Sequence, residues 1–301
     1  MRRLVVFGCG YSARRFVELY GDRFAAVDVT ARSAETVAPL VSAGLAAHVF
    51  DGGPADEALT AAVEKATHVL VSAPPEEGGD PVLRGAGDAL RRAADLQWVG
   101  YLSTIGVYAD AGGGWVDEAT PPEADSERGR RRVEVERDWL AYGALTGVAV
   151  QIFRLAGIYG PGRSAIDNLK AGTAKRLVKP GQVFNRIHVD DIAATVAAGV
   201  ERPSVGPVIN VTDDEPAPPQ DVVAYAAGLI GVEPPPEVAF ETAELSPMAR
   251  SFYSSNKRVR NAVLRDRLGV ALTYPTYREG IAALAHALAA GSAAWSGSPK
   301  Q

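Results

Sequence analysis

The sequence has a single cysteine, no long uncharged apolar run and no excess of basic charge. Cys9 alone excludes an intrachain disulfide and a thiolate metal cluster, so we predict a reducing compartment and no metal site. Because no membrane-spanning stretch or signal-peptide pattern is present, we predict a cytoplasmic protein without a membrane partner. The formal charge of −5 argues against a nucleic-acid partner. With 47% apolar and 22% charged residues, the composition is that of a globular protein.

Short apolar runs alternate with helical patterns through the first 155 residues. The strand-like runs are Leu4 to Phe7, Ala25 to Thr30, Ala46 to Phe50, His68 to Ser72, Gln97 to Ser103 and Val148 to Leu155. The helical patterns between them are Tyr11 to Tyr20, Ala34 to Ala43, Ala55 to Lys65, Pro81 to Ala94 and Arg130 to Leu145. This alternation predicts an α/β fold with a doubly wound parallel sheet of the Rossmann type.

The alternation stops after Leu155. Later segments predict four helices and one strand that returns to the sheet: Ile192 to Val200, Asp221 to Ile230, Lys257 to Leu268, Tyr277 to Ala289, and the strand Val208 to Val211. We therefore predict a Rossmann domain over 1–155 and a smaller mixed lobe over 156–290 that binds the substrate. Residues 291–301 are predicted to form a flexible tail.

A glycine-rich turn follows the first strand. The run from Gly8 to Ala13 has the Gly-x-Gly-x-x-Ala spacing of dinucleotide-binding βαβ units. Gly8 permits the tight turn, Gly10 lets the backbone approach a pyrophosphate, and Ala13 allows helix and strand to pack closely. An ordinary strand-to-helix connection is the alternative. The predicted dinucleotide contacts here are Gly8, Gly10, Tyr11, Ser12 and Ala13.

The end of the second strand selects the dinucleotide in such folds, because an acidic residue there binds the ribose and repels a 2′-phosphate. Asp28 is predicted to lie within the strand, so that Thr30, Arg32 and Ser33 face the adenosine ribose. A guanidinium and a hydroxyl favour a phosphate, so NADP(H) is predicted in preference to NAD(H). The alternative is that Arg32 is only a surface charge.

Two further turns contribute predicted cofactor contacts. Asp51 follows the third strand and could accept a hydrogen bond from the adenine amino group, or serve only as a turn residue before two glycines. Ser72, Ala73 and Pro74 follow the fourth strand, where the middle of the cofactor is expected to pass. Proline there suits the wall of a cleft as well as a simple end of the strand.

Later segments resemble the extended short-chain dehydrogenase/reductase superfamily, which contains NAD-dependent epimerases and dehydratases of nucleotide sugars. With the glycine turn they cover most of the chain, in the family's order. Other segments resemble an atypical bacterial branch of it: Pro74-Pro75, Gly79 to Pro81, and Leu268 to Pro275. The matching segments are Leu102 to Tyr108, Arg154 to Gly162, Ile187 to Ala193 and Ile209 to Asp213.

The resemblance implies roles for several residues. Thr104 matches the Ser/Thr that hydrogen-bonds the reacting oxygen, and Ala156, Gly157 and Ile158 match a loop beside the nicotinamide. His188 matches a segment that begins a helix, where a structural role is expected more often than a catalytic one. Family members often dimerise, so a homodimer is an expected assembly.

The chain departs from the family at the catalytic Tyr-x-x-x-Lys. Arg128 occupies the tyrosine position and Arg132 the lysine position. Arg132 retains a positive charge that could bind the nicotinamide ribose, whereas the guanidinium of Arg128 cannot exchange a proton at neutral pH. Tyr108 is the nearest tyrosine after Thr104 that could act as the proton donor, although a packing role is also expected for it.

Three functions follow from these patterns. The first is an NADP(H)-dependent reductase or dehydrogenase of a small carbonyl or alcohol, in which Thr104 and Tyr108 act on the substrate oxygen and Arg128 binds an anionic group or polarises a carbonyl. The second is a non-catalytic NADP(H) sensor. The third is a nucleotide-sugar epimerase or dehydratase that uses other residues.

Overall fold

A parallel sheet flanked by helices forms the centre of the molecule, and the computed structural model describes residues 1–291. The strands are β1 (Arg3–Phe7), β2 (Ala26–Ala31), β3 (Ala46–Val49), β4 (His68–Val71), β5 (Trp98–Thr104), β6 (Trp115–Val116), β7 (Ala149–Leu155), β8 (Gly157–Tyr159), β9 (Arg176–Val178), β10 (Arg186–His188), β11 (Val208–Val211), β12 (Glu237–Ala239) and β13 (Arg258–Val259). The helices are α1 (Tyr11–Tyr20), α2 (Ala34–Ser42), α3 (Glu57–Glu64), α4 (Pro81–Arg92), α5 (Glu127–Thr146), α6 (Ala165–Lys170), α7 (Val189–Glu201), α8 (Pro219–Leu229), α9 (Pro247–Phe252) and α10 (Tyr277–Ala289).

Seven strands form the main sheet in the order β11-β7-β5-β4-β1-β2-β3, and all neighbouring pairs are parallel. The chain builds outward from β1 in both directions, so the strand order reverses between β1 and β4. In open α/β sheets, ligands bind at the carboxyl ends of the strands beside such a reversal. The predicted Rossmann-type α/β fold is confirmed.

Both faces of the sheet are buried under helices. On one face α1 and α7 contribute Phe16 and Ile192 to a core beneath β1 and β7. On the other face α3, α4 and α5 contribute Leu59, Leu90 and Trp139. A separate apolar cluster joins α6, α8 and α10. Burial on both faces explains why the central strands β1 and β4 are nearly continuous apolar runs.

Most of the predicted strands and helices are present, but one predicted helix is absent. The strand Val208–Val211 pairs with β7, and α10 has its predicted bounds. The helix predicted over Lys257 to Leu268 does not form: β13 pairs with β6, and a single π-helical turn follows over Val263–Arg267. Tertiary contacts override the helical pattern, because the Asn261 amide donates to the Thr212 carbonyl at 3.0 Å.

The division at residue 155 stays a prediction, and the main sheet includes β11 from beyond it. Of the predicted tail, 292–301 lie outside the described residues. Within residues 1–291, no helix is both long and apolar enough to span a bilayer. The same residues contain no group of three or more His, Cys, Asp or Glu side chains arranged to hold a metal ion.

Candidate functional site

The turn after β1 is held between two neighbouring strands. Gly8 has φ +85°, and a Cβ there would lie 2.8 Å from the Ala73 amide nitrogen. The Gly8 amide donates to the Thr30 hydroxyl at 3.0 Å, and the Cys9 amide donates to the Thr30 carbonyl at 2.8 Å. Only glycine tolerates this close approach with a positive φ. The expectation that Thr30 faces a ribose is therefore corrected, because its buried side chain supports the turn.

Open space lies in front of the next glycine. Among the residues that the structure describes, a Cβ on Gly10 would meet no atom within 4 Å, and no side chain caps the N-terminus of α1. Ser12 and Ala13 are buried against the sheet behind it. Uncapped helix N–H groups and the helix dipole favour an anion. The residues present therefore fit the pyrophosphate of a dinucleotide.

Tyr11 connects this turn to the segment after β8. Its hydroxyl donates to the Pro161 carbonyl at 3.0 Å, and the Arg163 guanidinium lies 5.7 Å from its ring centroid. Burial raises the pKa of Tyr11 above its ordinary value. The tyrosine is thus a neutral bridge that places the 157–163 segment beside the turn.

The end of β2 presents one unpaired cation. Arg32 is exposed, and within residues 1–291 it has no hydrogen-bond or ion-pair partner. Ser33 caps α2, where its hydroxyl accepts from the Thr36 amide at 3.4 Å. Asp28 lies within β2 and contacts His48 at 2.9 Å. Asp28 therefore does not lie at the strand end, where an acidic residue would repel a 2′-phosphate.

The turns after β3 and β4 form the neighbouring part of this edge. Asp51 is exposed, and its carboxylate accepts from the Gly53 amide at 2.9 Å, which is the turn role considered above. The Ser72 and Ala73 amides both donate to the Phe7 carbonyl, at 2.8 and 3.1 Å. Pro74 is half-buried and follows directly. Whether these residues contact a cofactor stays a prediction.

Thr104 ends β5 at the same edge. Its hydroxyl accepts from the Gly106 amide at 3.1 Å, and the side chain is half-buried. The first turn of α5 packs against this loop, since a Cβ on Gly129 would lie 2.6 Å from the Gly106 carbonyl oxygen. A glycine at 129 thus brings α5 next to the loop that carries Thr104.

Arg132 and Arg128 lie one turn apart on α5. The Arg132 Nη1 donates to the Tyr101 hydroxyl at 2.9 Å and to the Leu102 carbonyl at 2.7 Å, which ties α5 to β5. Arg128 is exposed, and the described part of the chain offers it no hydrogen-bond or ion-pair partner. The guanidinium of Arg132 is thus held by β5, whereas that of Arg128 is free to bind a ligand.

Tyr108 does not face the cleft. It is 1% exposed, and its hydroxyl donates to Asn210 and accepts from the Arg154 guanidinium, both at 2.8 Å. Burial raises its pKa. The expectation that Tyr108 donates a proton to the substrate is therefore corrected in favour of its packing role.

A buried ion pair beneath Thr104 was not predicted from the sequence. The Arg154 guanidinium contacts the Glu136 carboxylate at 2.7 Å, and their side chains are 4% and 3% exposed. Ser103 donates to the same carboxylate at 2.5 Å. An arginine within the apolar run of β7 was the available signal, because a charge inside a buried strand requires a partner.

The loop after β7 lies beside β10. The Ala156 amide donates to the Val211 carbonyl and the Gly157 amide to the Asn185 carbonyl, both at 3.0 Å. Ile158 pairs in register with Ile187 of β10. His188 is 2% exposed and caps α7 through the Asp190 amide, so the structure gives it a structural role.

Asp213 is a buried carboxylate near the end of β11. It is 2% exposed, one of its oxygens accepts from the Glu215 amide at 3.3 Å, and the other has no hydrogen-bond partner among residues 1–291. Burial raises its pKa to about 8, against an opposing effect from Arg186. A raised pKa means that the folded state binds the proton more tightly than the unfolded chain.

The stability contribution of Asp213 is therefore expected to be lost as the pH rises from about 4 to about 8. Asparagine does not titrate, so the Asp213→Asn variant does not lose this stability. The difference in free energy of unfolding, variant minus wild type, should therefore become more positive as the pH rises from about 4 to about 8. Urea denaturation at several pH values measures the difference, with Asp51→Asn as an exposed control. A difference that does not change with pH would contradict the expectation.

Comparisons with solved structures match nearly the whole chain. A conserved protein of unknown function from Silicibacter pomeroyi is 46% identical with a TM-score of 0.86, covering 96% of this chain and 99% of that one. A protein assigned as an NAD-dependent epimerase/dehydratase from Methylobacillus flagellatus is 26% identical with a TM-score of 0.71, with the same coverage. The dTDP-glucose 4,6-dehydratase DesIV from Streptomyces venezuelae, determined with NAD bound, is 19% identical with a TM-score of 0.71 over 94% and 96% of the chains, and shares the fold.

Curated relatives match a shorter region. Protein YeeZ from Escherichia coli is 36% identical over 137 residues, 45% of this chain and 47% of its own. A 3-diazoavenalumate denitrifying reductase from Streptomyces is 28% identical over 151 residues, 46% and 48% of the two chains. The chain thus spans about half the length of the curated relatives it matches, and no family model matches it. The fold is thus shared, over nearly the whole chain, with NAD-dependent epimerase/dehydratase structures, as the resemblance to the extended short-chain dehydrogenase/reductase superfamily predicts.

Proposed function

We propose that the protein is an NADP(H)-dependent reductase of a small carbonyl compound. The observation that carries the proposal is the grouping of three features at one edge of the sheet. An open glycine turn follows β1, the exposed Arg32 follows β2, and the half-buried Thr104 ends β5. The partial match to a Streptomyces protein named as a denitrifying reductase supports a reductase in the broad sense.

Each residue has a distinct part in binding. The turn from Gly8 to Ala13 and the N-terminus of α1 hold the pyrophosphate, and Arg32 pairs with the 2′-phosphate through its guanidinium. Arg132 is anchored by one nitrogen, Nη1, to Tyr101 and Leu102, so the rest of its guanidinium can face a ribose.

The residues around Thr104 serve the reacting carbonyl. When bound, NADPH supplies a hydride to the carbonyl carbon. The Thr104 hydroxyl accepts from the Gly106 amide, which leaves its proton to donate to the carbonyl oxygen. The positive charge of Arg132, anchored to the Leu102 carbonyl near the end of β5, favours the negative charge that develops on this oxygen. Water supplies the final proton through Thr104, so one hydride and one proton convert the carbonyl to an alcohol.

A reductase needs one proton from solvent, whereas an epimerase must also return a hydride to the same substrate. Both tyrosines near Thr104 are held internally, Tyr101 by Arg132 and Tyr108 by Arg154. Burial raises the pKa of each. Neither is suited to shuttle a proton in both directions, so reduction is the better-supported reaction.

Arg32→Ala is expected to weaken NADPH binding by about 10- to 100-fold, because a charge-assisted contact to the 2′-phosphate is lost. NADH binding should change little. Fluorescence titration of both dinucleotides measures the difference, with Arg137→Ala as an exposed control on α5. Equal loss for the two dinucleotides would contradict the role of Arg32, and absence of binding to the wild type would overturn the proposed function.

A further inference from the structure

One arginine of the run 128–132 is unaccounted for by the fold. Arg130 donates to the Asp125 carbonyl at 2.8 Å, Arg131 pairs with Glu127 at 2.5 Å, and Arg132 is bound to β5 as described. Arg128 alone of these has no such contact within residues 1–291, and it is exposed. Contacts within the protein therefore account for Arg130, Arg131 and Arg132, but they do not account for Arg128.

The position of Arg128 is unfavourable for the helix itself. It lies in the first turn of α5, where unpaired N–H groups make a positive charge destabilising. The acidic residues next to it in sequence have other contacts, since Glu127 pairs with Arg131 and the Asp125 carboxylate accepts from the Asp110 amide at 2.7 Å. The Arg128 guanidinium thus has no ion-pair partner within residues 1–291.

The same position is adjacent to the reacting centre of the proposed function. Arg128 immediately precedes Gly129, whose Cβ would lie 2.6 Å from the Gly106 carbonyl oxygen. The Gly106 amide in turn donates to the Thr104 hydroxyl at 3.1 Å. The backbone that carries Arg128 therefore contacts the loop that carries Thr104.

We propose that Arg128 binds an anionic group of the substrate, so that the substrates are carbonyl compounds that carry a carboxylate or a phosphate. The proposal rests on the proposed function for the position of the carbonyl. A guanidinium binds either anion through two parallel hydrogen bonds, and the adjacent helix end adds to the attraction. Arg128 then sets specificity, while Thr104 acts on the carbonyl oxygen.

Calorimetric titration of the NADP⁺-saturated protein with benzoate, phenyl phosphate and benzyl alcohol tests this assignment. At least one anion is expected to bind at least about tenfold more tightly than the neutral alcohol, and the preferred anion identifies carboxylate or phosphate. Arg128→Gln should reduce the affinity for that anion at least about tenfold, and Arg128→Lys should reduce it less. Arg137→Gln, on the same helix, should leave it unchanged.

Equal anion binding by the wild type and Arg128→Gln would overturn the inference, as would anions that bind no better than the alcohol. A loss of NADP⁺ affinity in Arg128→Gln would assign the arginine to the cofactor and also overturn it. NADP⁺ binding is measured first in each protein. If NADP⁺ binds and the anions do not, only this inference fails, whereas failure of NADP⁺ to bind the wild type removes the proposed function as well.

Discussion

Arg154→Met is expected to lower the free energy of unfolding by about 3–5 kcal/mol, because it leaves the Glu136 carboxylate buried without its cation. Glu136 is 2% exposed, and the guanidinium contacts both of its oxygens. The same guanidinium donates to the Tyr108 hydroxyl. The substitution therefore removes the contacts that join α5, β7 and the loop after Thr104.

Urea denaturation of the variant measures this loss. The double variant Arg154→Met with Glu136→Met should regain much of the lost stability, because neither charge is then buried alone. Arg92→Met, in an exposed pair with Glu64, is the matched control and should change stability by less than about 1 kcal/mol. If the single and double variants unfold alike, lost packing rather than an unpaired charge explains the effect.

Of the two alanine substitutions in the first turn, Gly8→Ala is expected mainly to destabilise the fold, whereas Gly10→Ala is expected mainly to weaken NADPH binding. Gly8→Ala places a Cβ 2.8 Å from the Ala73 amide nitrogen at a φ of +85°, so it should destabilise the fold by about 2–4 kcal/mol. Gly10→Ala has an ordinary φ of −84° and meets no atom, so its cost should be at most about 1 kcal/mol. Its Cβ would instead occupy the open space assigned to the pyrophosphate.

NADPH titration and thermal denaturation of both variants separate the two roles. Gly10→Ala should retain a melting temperature close to the wild type and lose NADPH affinity by at least about tenfold. Gly8→Ala should instead lower the melting temperature of the protein. Unchanged NADPH affinity in a folded Gly10→Ala protein would contradict the assignment of the phosphate site to this turn.

Local sequence patterns correctly predicted the features of the fold that depend only on residues close together in the chain. The spacing from Gly8 to Ala13 indicated the turn, and the structure gives Gly8 the positive φ that only glycine adopts readily. The helix predicted over Lys257 to Leu268 failed for the opposite reason. Lys257 is buried and donates to the Tyr108 carbonyl at 2.8 Å, a contact across 149 positions of sequence that no local pattern contains.

By itself the sequence determined the alternation of main-sheet strands and helices through β7, the glycine turn and the arginines at 128 and 132, because periodicity and turn chemistry are local properties. Only the tertiary structure decided which polar groups are free. It engaged Tyr108 with Arg154 and Asn210, used Thr30 to hold the turn, and left Arg32 and Arg128 without protein partners in the described residues. Hydrogen-bond partners are selected by distance in space, and segments far apart in the chain supply most of them here.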